Sequence, residues 1–369
     1  MKSPDTWPRN ETHNPTNTLA PILHPGNTMS SLQISLSVRF GYWTEPFPPT
    51  VGIRPPSRRR VSCGHTGERP VPVDEPLALV ESRGGYGAMR MIPEIRAMTP
   101  ADIPAGMHLK DAAGWNQTEE DWGRFLQASP KGCFVAEWNG KVAGTVTTII
   151  HEDCLAWIGM VLVDPELRGK GIGTTLLVKA IDYLDSRRIP CVKLDATPQG
   201  RPLYERLGFQ VEYDLERQIL HREPGRGAAP GTMEDIEAVL AMDRDVFGAD
   251  RSALLRSIAN AAPEFVAVAR QGRSLSGYAL GRRGSRGDHL GPWIARTEPA
   301  AREILENFLL FSKREVVIVD VVKDNPWAPG LLSEKGFGFS RVLTRMYRGE
   351  NAHPGRRDLV CAILGPEFG

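Results

Sequence analysis

The segment Arg168-Gly169-Lys170-Gly171-Ile172-Gly173 lies between an apolar run, AWIGMVLVDPE, and a helical one, TTLLVKAIDYLD. Its chemistry would be anion binding. A helix N-terminus leaves its first four N–H groups unpaired and carries partial positive charge. Glycines remove the Cβ atoms that would hold a phosphate away from those groups. Arg168 and Lys170 add charge. The segment therefore predicts a ligand bearing a phosphate or pyrophosphate. It is not the G-x-x-x-x-G-K-[ST] loop. Nor is it G-x-G-x-x-G, because Leu176 stands at the third-glycine place.

Such a turn needs a strand before it and a helix after it. LAWIGMVLV reads as the strand. Residues 172–186 read as the helix, with Ile172, Leu176, Leu177, Ala180, Ile181 and Leu184 on one face. Upstream, PEIRAMT is a strand, and PADIPAGMHLKDA is a helix opened by Thr99 and Pro100. TEEDWGRFLQA is a second helix. GCFVAEW and KVAGTVTTII are strands joined by Asn139-Gly140, a strong hairpin signal. Downstream come the strand CVKLDAT, the short helix RPLYERL, and closing strands near QVEYDLERQIL.

The order then recurs at nearly constant separation. Asp102-Ile103 is echoed by Asp235-Ile236, FVA at 134–136 by FVA at 265–267, and Gly144 by Gly277. Asp195 is echoed by Asp320, and Gly208-Phe209 by Gly336-Phe337. Matches in register predict two copies of one fold, joined near HREPGRGAAPG.

The length of 369 residues suits two domains and a tail, and 41% apolar content is globular. A net charge of +1 argues against a nucleic-acid or membrane-surface partner. The apolar runs fall short of the ~20 residues of a membrane span. Cys63, Cys133, Cys154, Cys191 and Cys361 are scattered, without a C-x-x-C pair. They read as free thiols in a reducing, cytoplasmic compartment, not as a disulfide framework or a metal site. Residues 1–90 are proline-crowded, with Lys2 as their one lysine and no sustained periodicity. They are expected to be a disordered extension, or sequence upstream of the true start near Met89 or Met91. A targeting peptide or a proline-rich docking arm is the less favoured expectation, for want of a hydrophobic signal core or an amphipathic Arg/Ser pattern.

Residues 168–173 resemble the [RQ]-x-x-G-x-[GA] motif of the GNAT acyltransferase superfamily, and LYERLGF at 203–209 has that family's spacing from it. The resemblance covers residues 91–220. AGWNQTEEDW and CVKLDATPQGRPLYERLGF are further similar to a bacterial subgroup in which a second, divergent GNAT domain follows the first. The implied fold is α/β (α+β) with a mixed sheet: a catalytic GNAT domain over 91–222 and a degenerate GNAT-like domain over 231–369.

The resemblance implies acetyl-CoA as co-substrate and no metal. The pyrophosphate would rest on the N–H groups of Arg168, Gly169, Lys170, Gly171, Ile172, Gly173 and Thr174. The pantetheine arm would pair with Val161, Leu162 and Val163, in a gap where the strands before and after the 172–186 helix splay apart. A primary amine, on a small molecule or peptide, would attack directly in a ternary complex. No Ser-His-Asp or Cys-His arrangement suggests an acyl-enzyme. Tyr204 takes the place of the family's general acid; a phenol near pKa ~10 can protonate a thiolate near ~8.5. Thr197 stands where many members have an asparagine. The base is not fixed: His151, Glu152 and Asp153 precede the strand, and Asp195 is the first choice. Trp115 and Asn116 are expected to line the acceptor pocket, whereas Trp122, spaced with Phe125 and Leu126, is expected in the core.

The second copy reads GPWIARTEPAARE at the phosphate-loop place and Leu332 at the tyrosine's. It is expected to support the first copy, shape the acceptor pocket or sense a ligand. The closing GPEFG suggests no chemistry. Two other functions remain open: a non-catalytic acyl-CoA sensor, and a nucleotide binder of another fold. The oligomeric state is not readable.

Overall fold

A computed structural model describes residues 92–225 and 233–369, all within a unit running from Gly84 to Gly369. The expectations for residues 1–90, Cys63 included, lie outside the described residues.

The first half runs β1 (Glu94–Ala97), α1 (Ile103–Ala112), α2 (Glu119–Ala128), β2 (Phe134–Trp138), β3 (Lys141–His151), β4 (Leu155–Val163), α3 (Ile172–Ser186), β5 (Cys191–Ala196), α4 (Arg201–Arg206) and β6 (Gln210–His221). The second runs α5 (Ile236–Phe247), α6 (Ser252–Ala261), β7 (Ala267–Gln271), β8 (Ser274–Arg283), β9 (Asp288–Ala295), α7 (Glu298–Phe311), β10 (Val316–Val322), α8 (Ala328–Glu334), β11 (Gly338–Gly349) and β12 (Val360–Ala362). Local chemistry accounts for the boundaries. Thr118 caps α2 through a reciprocal pairing with Asp121. Asn139 and Gly140 both take positive φ in the β2–β3 hairpin.

The twelve strands of the described residues form one mixed sheet, ordered β1-β2-β3-β4-β5-β11-β6-β10-β12-β9-β8-β7. The halves are not closed sheets side by side. Strand β11, from the second half, pairs antiparallel with β5 of the first, and β6, from the first, pairs antiparallel with β10 of the second. At the centre β6 and β11 pair with each other. Each half thus lends its strand after the short helix to its twin.

The echo of Asp195 in Asp320 acquires a meaning here. Arg345 on β11 sits opposite Asp195 on β5, and Arg217 on β6 sits opposite Asp320 on β10. Each arginine grips its aspartate in a two-bonded fork: 2.9 and 2.9 Å for Arg345, 2.8 and 2.7 Å for Arg217. The four side chains are buried. Two mirrored clamps therefore hold the exchanged strands.

Helices cover both faces of the sheet. On one, α1, α2, α5 and α6 share a core with β-strand residues of both halves, including Trp122, Phe125, Trp157, Val239, Leu255, Tyr278 and Phe368. On the other, α3 packs over Val146, Ala156 and Ile158, and α7 over Ala279, Leu290 and Val319, in separate cores. Trp122 is fully buried, as its spacing predicts. Cys133, Cys154, Cys191 and Cys361 are free thiols, and among the described residues no helix is long and apolar enough to cross a membrane.

Breaking one clamp leaves a charge buried alone. Arg217→Met should destabilise the protein by about 3–5 kcal/mol in urea titration, with less cost in the Arg217→Met/Asp320→Leu double variant. Two buried histidines set an acid limit. Burial, with the nearby charge of Arg251, pushes His151 down to about 4, and burial with Arg282 pushes His289 down to about 3. An unfolded histidine titrates near ~6.5. The unfolded chain thus takes up these protons first, and stability present above pH ~6.5 falls as pH drops toward 4. Melting temperature against pH should show this slope, and His151→Gln should flatten it.

Candidate active site

β4 and β5 begin as parallel neighbours, but their pairing is confined to Leu155–Trp157 against Cys191–Lys193. Beyond it they part. The cause lies in β4: its register against β3 shifts between Thr145 and Thr147, and Met160 takes φ +50. Thr145 Oγ1 donates to the Met160 carbonyl at 2.8 Å and fixes that bulge. The result is a cleft of about 830 Å³ along the open edges of the two strands.

The cleft is lined by Val161, Leu162 and Val163 on one side and by Thr197 and Tyr204 on the other, with Arg168, Gly169, Gly171, Ile172, Gly173 and Thr174 at its end. Gly169 and Gly171 have φ +79 and +86, a region where other residues are strained. The first helical bond after the turn runs from Thr175 N to Gly171 O at 3.0 Å. The amides of Ile172, Gly173 and Thr174 therefore precede the ladder and are left without helical partners, the arrangement that suits an anion. Lys170 is not part of this lining. Its ammonium lies over the Trp138 ring, 5.3 Å from the centroid.

Tyr204 lines both this cleft and a smaller cavity of about 60 Å³. Burial pushes its phenol up to about 12, so it stays protonated at neutral pH. Thr197 Oγ1 accepts from Gly200 N at 3.3 Å and caps the turn before α4.

The small cavity is lined from both halves: Trp115, Gln117, Met160, Asp195 and Arg217 from the first, Arg341, Leu343, Pro366 and Glu367 from the second. The closing GPEFG is thus part of the site. Trp157 Nε1 donates to the Pro366 carbonyl at 2.9 Å, and Phe368 stacks on Phe125 at 4.6 Å. Gly159 makes room for this tail; a Cβ there would come within 2.7 Å of the Glu367 carbonyl oxygen. No periodicity flags so short a terminal segment, which is why sequence reasoning missed it.

Trp115 lines both spaces. Asn116 does not reach the cavity. It is buried, donates to Gly287 O at 3.1 Å, and accepts from Arg286 N and Gly287 N at 2.9 and 3.1 Å. It pins the β8–β9 turn of the second half to the α1–α2 loop. Asp195 is also reassigned. Both its oxygens accept from Arg345 and its side chain is inaccessible, so the clamp occupies the expected base. His151, Glu152 and Asp153 sit at the far end of β4. His151 is buried against Phe247, while Glu152 and Asp153 pair with Arg244 and Arg187. Glu367 is the other carboxylate of the cavity. Oε1 accepts from Arg282, which also holds Asp121 at 2.8 Å, and Oε2 makes no hydrogen bond among the described residues.

The matching gap in the second half is filled. β9 and β10 pair over Asp288–Leu290 and Val317–Val319, then part as β4 and β5 do. β12 enters the opening, pairing with Val321 on one side and with Trp293 and Ile294 on the other. Leu332, at the place of Tyr204, is fully buried. No cluster of metal-ligating side chains occurs among the described residues.

Comparison with known proteins agrees with this geometry. Residues 103–209 match the model described as the acetyltransferase (GNAT) family, and residues 239–362 the one described as the acetyltransferase (GNAT) domain. The holothin acyltransferase of Pseudoalteromonas sp. is 27% identical over 266 residues, covering 70% of this chain and 88% of that protein. The uncharacterized N-acetyltransferase YitH of Bacillus subtilis is 28% identical over 255 residues, covering 68% and 89%. A solved putative acetyltransferase from Pyrococcus horikoshii shares the fold with a TM-score of 0.62 at 23% identity, over 79% of this chain and all of that one.

The Asn116 placement predicts a stability effect. Asn116→Ala strips three hydrogen bonds from a buried turn and should cost about 2–4 kcal/mol in chemical denaturation.

Proposed function

The chain belongs to the GNAT superfamily of acyltransferases, with two of its domains in tandem, and on that premise we propose that it acetylates a primary amine with acetyl-CoA in the first half alone. The observation that carries this reading is the asymmetry between the two strand gaps. One is open and ends at glycine-lined amides; the other is plugged by β12. The second domain serves as the wall of the first domain's acceptor cavity.

The glycine turn takes the diphosphate, and the free edge of Val161–Val163 takes the pantetheine amides as a strand would. The thioester then lies beside Tyr204, at the mouth of the small cavity. The amine nitrogen attacks the acetyl carbonyl carbon, the C–N bond forms and the C–S bond breaks. Glu367 Oε2 receives the proton lost by the nitrogen, and Tyr204 gives its own to the departing thiolate. Water restores both. Each group is pre-positioned: Glu367 by Arg282, and Tyr204 by packing edge-on to Phe209 at 6.1 Å.

Tyr204→Phe should lower kcat for CoA release by about 10²-fold with little change in CoA affinity. Gly171→Val should weaken CoA binding in calorimetry by tenfold or more, since it strains the left-handed turn. Tight CoA binding with no turnover across a wide amine panel, and a silent Tyr204→Phe, would select the non-catalytic sensor instead.

A further inference from the structure

Arg217 and Arg341 are direct cross-strand partners on β6 and β11. Opposed residues of an antiparallel pair share a face, and like charges there repel. Arg217 has Asp320. Arg341 has no hydrogen bond or ion pair with any described residue, and its Nε is buried without an acceptor. Burial and the charge of Arg217 pull its guanidinium down to about 10; Asp320 and Glu367 are near enough only to moderate the effect. Arg341 lines both the cleft and the small cavity, beside Tyr204 and Trp115.

The internal repeat supplies a control. It aligns Gly208-Phe209 with Gly336-Phe337, and hence Arg217 with Arg345 and Tyr213 with Arg341. At the mirrored crossing Arg345 faces Tyr213, whose hydroxyl accepts from Arg345 Nη1 at 2.7 Å. That crossing is satisfied by a neutral phenol. The crossing that faces the open cleft carries an unpaired cation instead. A second polar atom in the same cavity also lacks a partner: Gln117 Oε1, on a side chain 3% exposed. A half-buried cation whose Nε is sealed from solvent without an acceptor, and a buried acceptor, both unmet, describe the negative image of a ligand.

We propose that this cavity binds an acceptor that carries a carboxylate beside its amino group, a small amino acid or amino-acid-like amine. Arg341 takes the carboxylate, and Gln117 Oε1 takes an N–H of the amine and turns its nitrogen toward the thioester. The assignment rests on the acyl-transfer reading above, and it makes the second domain the source of acceptor specificity.

The test uses the full chain, with amino acids and their neutral carboxamides as paired acceptors. The parent should prefer the acids by tenfold or more in kcat/KM. Arg341→Gln should abolish the preference, lowering kcat/KM for acids by about a hundredfold, mainly through KM. The carboxamides, whose carbonyl loses only a neutral hydrogen bond, should fall far less, by no more than about fivefold, and Arg341→Lys should recover part of the loss. CoA affinity should hold in calorimetry. Arg341→Gln should also melt no lower than the parent, because it relieves the Arg217–Arg341 repulsion; a merely structural arginine would lower the melting point. Equal slowing of acids and carboxamides would move Arg341 to the thioester carbonyl and overturn the proposal, as would weakened CoA binding. If neither class is acetylated, the melting shift given by amino acids to the CoA-loaded protein still decides. A shift lost in Arg341→Gln sinks acyl transfer but keeps the anion site, and no shift in the parent sinks the site.

Discussion

Two buried arginine–aspartate forks carry the architecture. Arg217–Asp320 joins β6 of the first half to β10 of the second, and Arg345–Asp195 joins β11 of the second half to β5 of the first. A buried ion pair contributes little net stability against an apolar alternative, because desolvation offsets the attraction. Its value lies in discrimination. A β-strand that slips by one residue turns every side chain to the opposite face. In the wrong register Arg217 would bury its charge with no carboxylate before it. The forks therefore fix which strand crosses and where it stops, and the crossing builds one twelve-stranded sheet out of two repeats.

The exchange also explains how near-twins became unequal. Past β11 the chain runs through residues 350–359 and returns to the second half's own strand gap. β12 fills that gap, and Ile363 N bonds Asp320 O at 3.1 Å next to the clamp. The tail then runs across to the first half and delivers Pro366 and Glu367 to the small cavity. One act thus closes one site and furnishes the other. β12 takes up edges of β9 and β10 that correspond to the ones β4 and β5 leave open in the first half.

The sequence made local structure legible and long-range structure not. The α3 face and the Asn139-Gly140 hairpin follow from period and turn chemistry, and each stands where expected. The repeat was legible too, down to Asp195 and Asp320. What could not be read was that each aspartate answers to the arginine of the other copy, since register between distant strands leaves no periodic trace. Asp195 looked like a base for that reason, and Asn116 like a pocket residue: a polar side chain near a motif carries no mark of where its hydrogen bonds go. Lys170 drew attention as a cation in a phosphate loop, yet its contact is with Trp138.

Arg341, half-buried, is informative because it lacks the carboxylate that each fully buried arginine has. Arg124, Arg217, Arg251, Arg282 and Arg345 are all buried, and each has a carboxylate within 3 Å. The fold pairs its buried cations with care. An exception at random would fall anywhere in the sheet. This one lines both the open cleft and the small cavity, at a position whose twin is a satisfied tyrosine. Interiors keep unsatisfied groups where a ligand completes them, and the cost in the free protein becomes affinity when the missing charge arrives.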